Sequence, residues 1–511
     1  NPSGAYYRYA FQYSATKMND YPKYGIWPDG YYMTVNQFTG GSTWGGAGVA
    51  VYERTQMLTG GAARQVIFDL NSVNANFGGM LPADFEGTPP AAGQPAYFVE
   101  VDDSSYGLGA VDEMRIWQFH ADWVNTANMT FGLSGQPNQV LPVTNFNLIC
   151  SSTRDCVPQP GTSTKLDAIG DRLMYRLAYR KLDSGIERMV VNHTVDVGSG
   201  RAGIRWYQLD MSGGVWGITQ QGTYAGDTPA TDTTHRWMGS ISMDRVGNLA
   251  LGYSMSSSSV YPSIGIVGRL NTDAANTLPQ GEKVVFTGTT SQTGVNRWGD
   301  YSSMSIDPQD GCTFWYTQEY SSGSWTWHTR IVSFKYPTCS GLPTGTITGT
   351  VRDGGGIPIA GAQVMAGVFG AISGIDGVYS ITLPIGTYSM TATAFGYLPG
   401  AVSGVNVSDG QTTTQNFVLS AATMRKVYGV VSDATPSGHN WPLYAQVSIA
   451  GYPGGSVFTN PLTGYYEVFL PQGFVTTLSV SAVPAGYNTT SQAVTVPASD
   501  LAINIGLTVN A

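Results

Sequence analysis

The hydrophobic and polar positions of the chain form short alternating runs separated by turns rich in Gly, Asp, Asn and Ser. The clearest group lies between Arg297 and Cys339, where three aromatic and β-branched runs span 301–307, 313–320 and 326–336. Runs of this length and composition predict antiparallel strands joined by hairpins. One such meander cannot bury both of its faces, so the pattern predicts further copies elsewhere in the chain.

Copies of this meander recur along residues 1–340. A second copy spans 236–270, and weaker copies follow the same pattern at 24–38, 96–123 and 169–209. The matched positions in the two strongest copies are Arg236 with Arg297, Trp237 with Trp298, Asp244 with Asp307, and Gly247 with Gly311. Repeats of this kind predict a β-propeller with irregular loops, and a large β-sandwich is the alternative.

The composition narrows the class of partner. Charged residues make up 12% of the chain, and 25 basic against 34 acidic residues give a formal net charge of −9. No cluster of Lys and Arg could neutralise a phosphate backbone, so no nucleic-acid partner is predicted. No apolar run reaches the length of a transmembrane helix, so no membrane span is predicted.

The four cysteines fall into two local pairs, which predicts the disulfides Cys150–Cys156 and Cys312–Cys339. Paired disulfides are typical of an oxidising compartment, so we expect a secreted or cell-surface protein. The five histidines do not lie at metal-ligand spacing from each other or from the cysteines. No metal, no cofactor and no catalytic residue are predicted.

The runs GAYYRYAFQY, RWMGSISMD and RWGDYSSMSIDPQDG resemble a family of uncharacterised secreted bacterial proteins that is loosely related to Asp-box sialidase-type propellers. The resemblance covers nearly all of residues 1–340 and implies the propeller fold without an activity. Its members typically continue upstream, and GAYYRYAF alternates as one strand of a blade already started. We therefore expect an incomplete propeller whose partner is either a cleaved N-terminal fragment of the same precursor or a neighbouring subunit. Strand donation between subunits would give a filament.

The C-terminal third has a different pattern. Residues 345–421, with GTITGTVRD and GIDGVYSITLP, resemble the carboxypeptidase regulatory-like domain, a transthyretin-like sandwich. Residues 424–511 repeat these motifs in phase as VYGVVSD and TGYYEVFLP. The predicted fold is therefore all-β, with a β-propeller followed by two tandem Ig-like or transthyretin-like β-sandwiches.

The turns of the propeller contain the candidate ligand-binding residues, because aromatic loops around a propeller channel suit sugar rings. These candidates are Trp27, Asp29, Arg236, Trp237, Arg297, Trp298, Asp300 and Tyr301. Core packing is the competing role for most of them. A sialidase would need three converging arginines, and the sequence offers Arg236, Arg297 and Arg330 without showing that they converge.

Two classes of function follow. The first is a non-enzymatic extracellular structural or adhesive protein, a cell-surface or filament-forming subunit with a propeller head and a sandwich stalk. The alternative is a glycan-binding or sialidase-like glycoside hydrolase propeller with accessory domains. The lack of a recognisable catalytic motif favours the first class.

Overall fold

The computed structural model describes residues 6–323, 326–340, 343–436 and 439–510. These residues form 38 strands, one α-helix, α1 (Arg54–Thr59), and two 3₁₀ turns, at Ser104–Tyr106 and Thr126–Asn128. The all-β prediction is confirmed. The chain divides into two compact units, residues 1–341 and 342–511. Within the described residues no helix is long and apolar enough to cross a membrane.

The first sheet of the N-terminal unit is an antiparallel meander of four strands in sequence order. Its strands are β1 (Lys17–Trp27), β2 (Gly30–Thr39), β3 (Thr43–Tyr52) and β4 (Gln65–Asp69). The middle strands are almost wholly buried, because a second layer covers their faces.

The next two meanders join into one nine-stranded sheet. The first of them contains β5 (Leu81–Glu86), β6 (Ala96–Asp102), β7 (Glu113–His120), β8 (Thr130–Phe131) and β9 (Gln139–Pro142). A separate two-stranded sheet of β10 (Asp155–Val157) and β11 (Leu166–Asp167) follows. The other meander contains β12 (Leu173–Lys181), β13 (Glu187–Asp196), β14 (Ala202–Ser212) and β15 (Val215–Tyr224). Parallel pairing of β5 with β12 connects the two meanders.

Two further sheets complete the N-terminal unit. The fourth meander contains β16 (His235–Met243), β17 (Leu249–Ser256), β18 (Ser263–Arg269) and β19 (Lys283–Phe286). The fifth contains β20 (Ser303–Ile306), β21 (Phe314–Gly323) and β22 (Thr326–Phe334). A closed propeller of separate blades is not shown in the described part of the chain, because the second and third meanders share one sheet.

The segment before β1 differs from the expectation of a strand. Residues 6–16 contain no strand, although their aromatic residues alternate. The Tyr9 hydroxyl donates to the backbone oxygens of Gln56 and Gly61 at 3.1 and 2.9 Å. Phe11 lies 4.9 Å from the ring of Tyr52. Side-chain packing therefore holds this segment on the first sheet, whereas a strand would need a backbone partner.

A buried ion-pair network lies where the first strands of the sheets meet. Arg176 on β12 donates to the Asp84 carboxylate on β5 at 2.6 and 3.0 Å, and it also pairs with Glu86. Burial of these three groups is possible because each charge has an opposite charge within hydrogen-bond distance.

The same two carboxylates bind the other first strands. Asp84 accepts from the backbone N–H of Ile26 on β1 at 3.1 Å. Glu86 accepts from the Ser242 hydroxyl on β16 at 2.9 Å and from the Ile306 N–H on β20 at 2.8 Å. The network therefore ties the first strand of every meander to β5.

The predicted repeat is confirmed at its aspartates. Asp244 directly follows β16 and Asp307 directly follows β20, so both occupy the first hairpin turn of successive meanders. Their carboxylates accept from backbone N–H groups of the turns, at 2.9 Å from Asn248 and 2.8 Å from Gln309. Each aspartate therefore caps its turn.

The predicted equivalence of Arg236 and Arg297 is wrong. Arg236 lies inside β16 and is buried, whereas Arg297 lies in the loop before β20 and is exposed. The loop before the first strand is longer in the fifth meander than in the fourth. The Arg-Trp pair therefore lies inside the first strand of the fourth meander but before the first strand of the fifth.

The first sandwich of the C-terminal unit has two sheets of four strands. Its strands are β23 (Thr344–Asp353), β24 (Gln363–Ala366), β25 (Phe369–Ile372), β26 (Val378–Pro384), β27 (Gly386–Thr393), β28 (Gly400–Val407), β29 (Thr412–Thr414) and β30 (Phe417–Leu419). One sheet has β23 between β26 and the pair β29 and β30, and the other has the order β25-β24-β27-β28. Alternating residues of β26 are buried, as its sequence pattern predicts.

The second sandwich repeats this topology strand for strand. Its strands are β31 (Met424–Asp433), β32 (Ala445–Ile449), β33 (Ser456–Phe458), β34 (Tyr465–Pro471), β35 (Val475–Ala482), β36 (Thr490–Thr495), β37 (Leu501–Ala502) and β38 (Ile505–Leu507). The predicted tandem repeat of β-sandwiches is therefore confirmed, while the residue boundaries 345–421 and 424–511 stay predictions.

Both predicted disulfides are present. The Cα atoms of Cys150 and Cys156 lie 5.4 Å apart, and those of Cys312 and Cys339 lie 5.6 Å apart. The first bridge closes a loop of sequence separation 6, and the second connects residues separated by 27 positions across the fifth meander.

The longer disulfide loop predicts the larger loss of stability. The double variant Cys312→Ser/Cys339→Ser should lose about 3–4 kcal/mol of unfolding free energy, because its reduced unfolded chain regains more entropy. The matched variant Cys150→Ser/Cys156→Ser should lose about 2 kcal/mol. Denaturant unfolding of both variants measures this order, and equal losses would contradict it.

Candidate functional site

Two of the predicted binding residues are core tryptophans. Trp237 and Trp298 belong to the same buried hydrophobic cluster and are 0% and 2% exposed. The Trp298 indole N–H donates to the Ser254 hydroxyl at 2.9 Å. The structure thus places both rings in the packing role that competes with ligand contact.

Trp27 and Asp29 lie at the hairpin between β1 and β2. Trp27 is 1% exposed, and its indole N–H donates to the Gln94 backbone oxygen at 3.0 Å. The Asp29 carboxylate accepts from the Tyr32 hydroxyl at 2.9 Å. Both side chains therefore have partners within the protein.

The three arginines considered for a carboxylate clamp have separate partners. Arg236 pairs with Asp232 at 2.7 Å and with Glu282 at 2.6 Å. Arg297 pairs with Asp300. The guanidinium of Arg330 lies 5.2 Å from the centre of the Phe286 ring. Each arginine is thus held by residues of its own neighbourhood.

Asp300 and Tyr301 meet around a lysine that sequence reasoning missed. The ammonium of Lys23 lies 3.9 Å from the centre of the Tyr21 ring and 4.0 Å from that of Tyr301. It donates to the Asp300 backbone oxygen at 2.8 Å. Burial lowers the pKa of Lys23 to about 7, although the Asp300 carboxylate acts in the opposite direction. Cation–π contacts thus stabilise an amine that has no directly paired carboxylate at hydrogen-bond distance in the described structure.

A cleft of about 280 Å³ lies beside these residues, between the first sheet and β6. Its polar and aromatic lining includes Asn36, Trp44, Glu100, Asp102, Tyr106 and Arg172. None of these residues was predicted as a binding residue. The cleft therefore forms a candidate site separate from the predicted one.

Glu100 has a buried and only partly satisfied side chain in this cleft. It is 3% exposed, its Oε1 accepts from the Gly78 N–H at 2.8 Å, and its Oε2 has no hydrogen-bond partner. Burial, reinforced by the charge of Asp102, raises the pKa of Glu100 well above its usual range. The carboxyl group therefore favours its protonated form, which can donate a hydrogen bond.

The neighbouring charges explain why Glu100 is left without a cation. Arg115 is the cross-strand neighbour of Glu100, yet its guanidinium pairs with Asp102 at 3.0 Å and with Glu113. Burial raises the pKa of Asp102 to about 6, while Arg115 lowers it. The Arg115 guanidinium therefore pairs with Asp102 and Glu113 and leaves Glu100 without an ion pair.

The strand sequence contains a signal for this site. All seven residues of β6 are buried, and Glu100 and Asp102 are the acidic residues on one of its faces. Two carboxyl groups two positions apart on a buried strand require partners or a polar cleft. The predicted meander copy at 96–123 includes this strand, but the sequence does not show that a neighbouring sheet buries its acidic face.

Comparison with protein families finds one match. Residues 346–420 match the carboxypeptidase regulatory-like domain, which agrees with the resemblance seen in the sequence. The match covers less than half of the chain, so it identifies this domain only. Comparison with curated proteins finds no match.

Comparison with solved structures finds partial similarities of low overall TM-score. A cohesin–X–dockerin complex from Acetivibrio cellulolyticus is 21% identical, with 15% of this chain and 58% of that chain covered and a TM-score of 0.14. A minor pilin of Streptococcus agalactiae is 12% identical, covers 33% of this chain and 97% of its own, and has a TM-score of 0.22. A shaft pilin from Lactobacillus rhamnosus GG is 11% identical, with coverages of 33% and 98% and a TM-score of 0.19. No function is inferred from similarities at this level.

The raised pKa of Glu100 predicts a pH-dependent loss of stability. A carboxyl group whose folded pKa is raised stabilises the fold below its unfolded pKa, and this contribution is lost as pH rises through the folded pKa. Glu100→Gln keeps the Oε1 acceptor and removes the titration. Its stability relative to the parent should therefore increase between pH 5 and pH 8, as measured by thermal unfolding.

Glu53→Gln is the matched control for this experiment. Glu53 is buried and pairs with Arg64 at 2.7 Å, which lowers the pKa of Glu53. This variant should be less stable than the parent by the same amount at pH 5 and pH 8, because Glu53 is ionised throughout that range. A Glu100→Gln difference that is equally flat would contradict the proton on Glu100.

Proposed function

We propose that the chain is a non-enzymatic extracellular structural or adhesive protein, a cell-surface or filament-forming subunit. In this proposal a β-propeller head is carried on a stalk of two sandwiches. The partner is another copy of the chain. The observation that carries the proposal is the packed junction between the two sandwich modules.

Phe395 is the centre of this junction. It follows β27 of the first sandwich and packs against the hydrophobic core of the second. Its ring centre lies 5.6 Å from that of Tyr452 and 5.5 Å from that of Phe474, with edge-on geometry in both pairs. A partly buried aromatic contact and a short connection between β30 and β31 restrict bending between the modules. Such a pair suits a stiff spacer.

The ion-pair network of the N-terminal unit supports the propeller head. Asp84, Glu86 and Arg176 bring together the first strand of each meander. In a propeller the first strands of the blades surround a central axis. Exposed apolar residues on the fifth sheet, including Trp315 and Ile331, support self-association of this unit.

Glycan binding is the second candidate function. It is favoured by the cleft at Glu100, which combines a buried unpaired carboxyl oxygen with exposed aromatic side chains. Binding of this kind would give an adhesive protein its ligand without requiring a reaction.

Truncation of the junction aromatic should loosen the stalk. Phe395→Ala should broaden the distribution of intramolecular distances obtained from small-angle X-ray scattering, because the aromatic contact between the modules is lost. It should also lower the unfolding temperature of the second sandwich, whose core Phe395 covers. Phe469→Ala is the control, since Phe469 lies on β34 with 54% of its surface exposed. Equal behaviour of the two variants would refute the stiff stalk.

The purified chain should not hydrolyse glycosides. We expect no turnover of a fluorogenic sialoside or of neutral aryl glycosides, because Arg236, Arg297 and Arg330 have separate partners. Simultaneous substitution of the three arginines should leave the signal at the level of buffer alone. Measurable hydrolysis by the parent that the triple variant abolishes would overturn the non-enzymatic proposal.

A further inference from the structure

The unpaired oxygen of Glu100 requires an explanation. A buried polar atom without a hydrogen bond destabilises a fold by about 1–3 kcal/mol, so such atoms are uncommon. Glu100 cannot turn to Arg115, because that guanidinium is held by Asp102 and Glu113. Because Glu100 lines the cleft, a ligand in the cleft can supply a hydrogen-bonding group to its carboxyl group.

The charged residues that line the cleft favour an uncharged ligand. Asp102 is paired with Arg115, and Arg172 binds Asp171 through two hydrogen bonds of 2.9 and 2.7 Å. An anion would meet the carboxyl groups of the floor. The described residues contain no group of three or more His, Cys, Asp or Glu side chains that could hold a metal ion. A hydroxyl group can satisfy the carboxyl group without bringing a charge.

Aromatic side chains lie beside this polar floor. Trp44 is 42% exposed, and its indole N–H is held by the Ala75 backbone oxygen at 2.7 Å. Tyr106, on the side of β6, is 38% exposed. A fixed aromatic face next to hydrogen-bonding groups matches a pyranose ring, which has apolar C–H faces and a polar hydroxyl edge.

Two glycines of the cleft allow Trp44 and Arg172 to pack closely against the backbone. A Cβ atom at position 78 would lie 3.1 Å from the Trp44 ring. At position 79 the backbone has φ +64, and a Cβ would lie 2.5 Å from the Cβ of Arg172. The cavity of about 280 Å³ lies near the lower end of the range of about 300–1,000 Å³ for small-molecule sites. This size suits a single saccharide unit.

We propose that the cleft of Glu100 binds one neutral pyranose unit of a glycan, with Trp44 as the stacking face and the Glu100 carboxyl group bonded to a sugar hydroxyl. This inference rests on the glycan-binding candidate function and assigns its site. It replaces none of the residues predicted from the sequence, because those lie outside this cleft.

The test uses the full chain and a defined set of probes. The probes are the methyl pyranosides of glucose, galactose, mannose and N-acetylglucosamine, with galacturonate as the anion and calcium chloride as the cation. Saturation-transfer NMR and titration calorimetry measure binding at pH 7. At least one neutral pyranoside should bind, and neither galacturonate nor calcium should compete with it.

Four variants assign the bound sugar to the cleft. Trp44→Ala and Glu100→Ala should each weaken binding about tenfold, because each removes an interaction of about 1–1.5 kcal/mol. Glu100→Gln should bind within about threefold of the parent, since its amide can donate as the protonated carboxyl does. Trp441→Ala is the control, because Trp441 is 67% exposed and lies in the loop between β31 and β32 of the second sandwich. Thermal unfolding confirms that each variant is folded.

Three results would overturn the inference in distinguishable ways. If a pyranoside binds and Trp44→Ala and Glu100→Ala leave its affinity unchanged, this site is wrong while glycan binding stands. If galacturonate or calcium displaces the bound sugar, the neutral site is likewise wrong while glycan binding stands. If no neutral pyranoside binds at about 10 mM, both the site and the glycan-binding candidate fail. The structural role of the stalk is unaffected by any of these results, because it is tested through Phe395.

Discussion

The N-terminal unit depends on two carboxylates of one strand, Asp84 and Glu86 on β5. Together they receive hydrogen bonds from the first strands of the four other meanders, including the two-pronged contact from Arg176. Removal of one partner from a buried ion pair typically destabilises a protein by about 3–5 kcal/mol, because the other charge is left unpaired. Hydrophobic packing fills the space between the sheets, but it is not directional. The carboxylates fix which strands meet.

Glu100 is the counterpart of this network on the next strand of the same sheet. Asp84 and Glu86 are satisfied by Arg176 and by backbone and hydroxyl donors, whereas Glu100 retains only one hydrogen bond. Glu100 has no guanidinium partner, because the nearby Arg115 pairs with Asp102 and Glu113. An unsatisfied group of this kind is expected where binding is more important than stability. The two sets of acids in one sheet thus differ in how far the protein itself satisfies their carboxyl groups.

The C-terminal unit consists of two copies of one sandwich module. Its two sandwiches share strand order and turn positions, and their alternating strands bury apolar residues on one face only. The repeated topology places an equivalent loop after β27 and after β35, yet it is Phe395 in the first of them that meets Tyr452 and Phe474. This aromatic side chain thereby packs the first module against the core of the second.

The sequence by itself determined the features that depend on local order. Strand alternation predicted the all-β class and the sandwiches, turn chemistry placed Asp244 and Asp307, and proximity in the chain paired the four cysteines. Tertiary structure decided the features that depend on which sheets meet: the parallel joining of β5 with β12, the burial of Trp237 and Trp298, and the cleft of Glu100. A side chain on a strand faces one of two sides, and its neighbours alone do not reveal whether another sheet covers that side. The candidate site therefore follows only from the tertiary structure, in which the first sheet packs against β6.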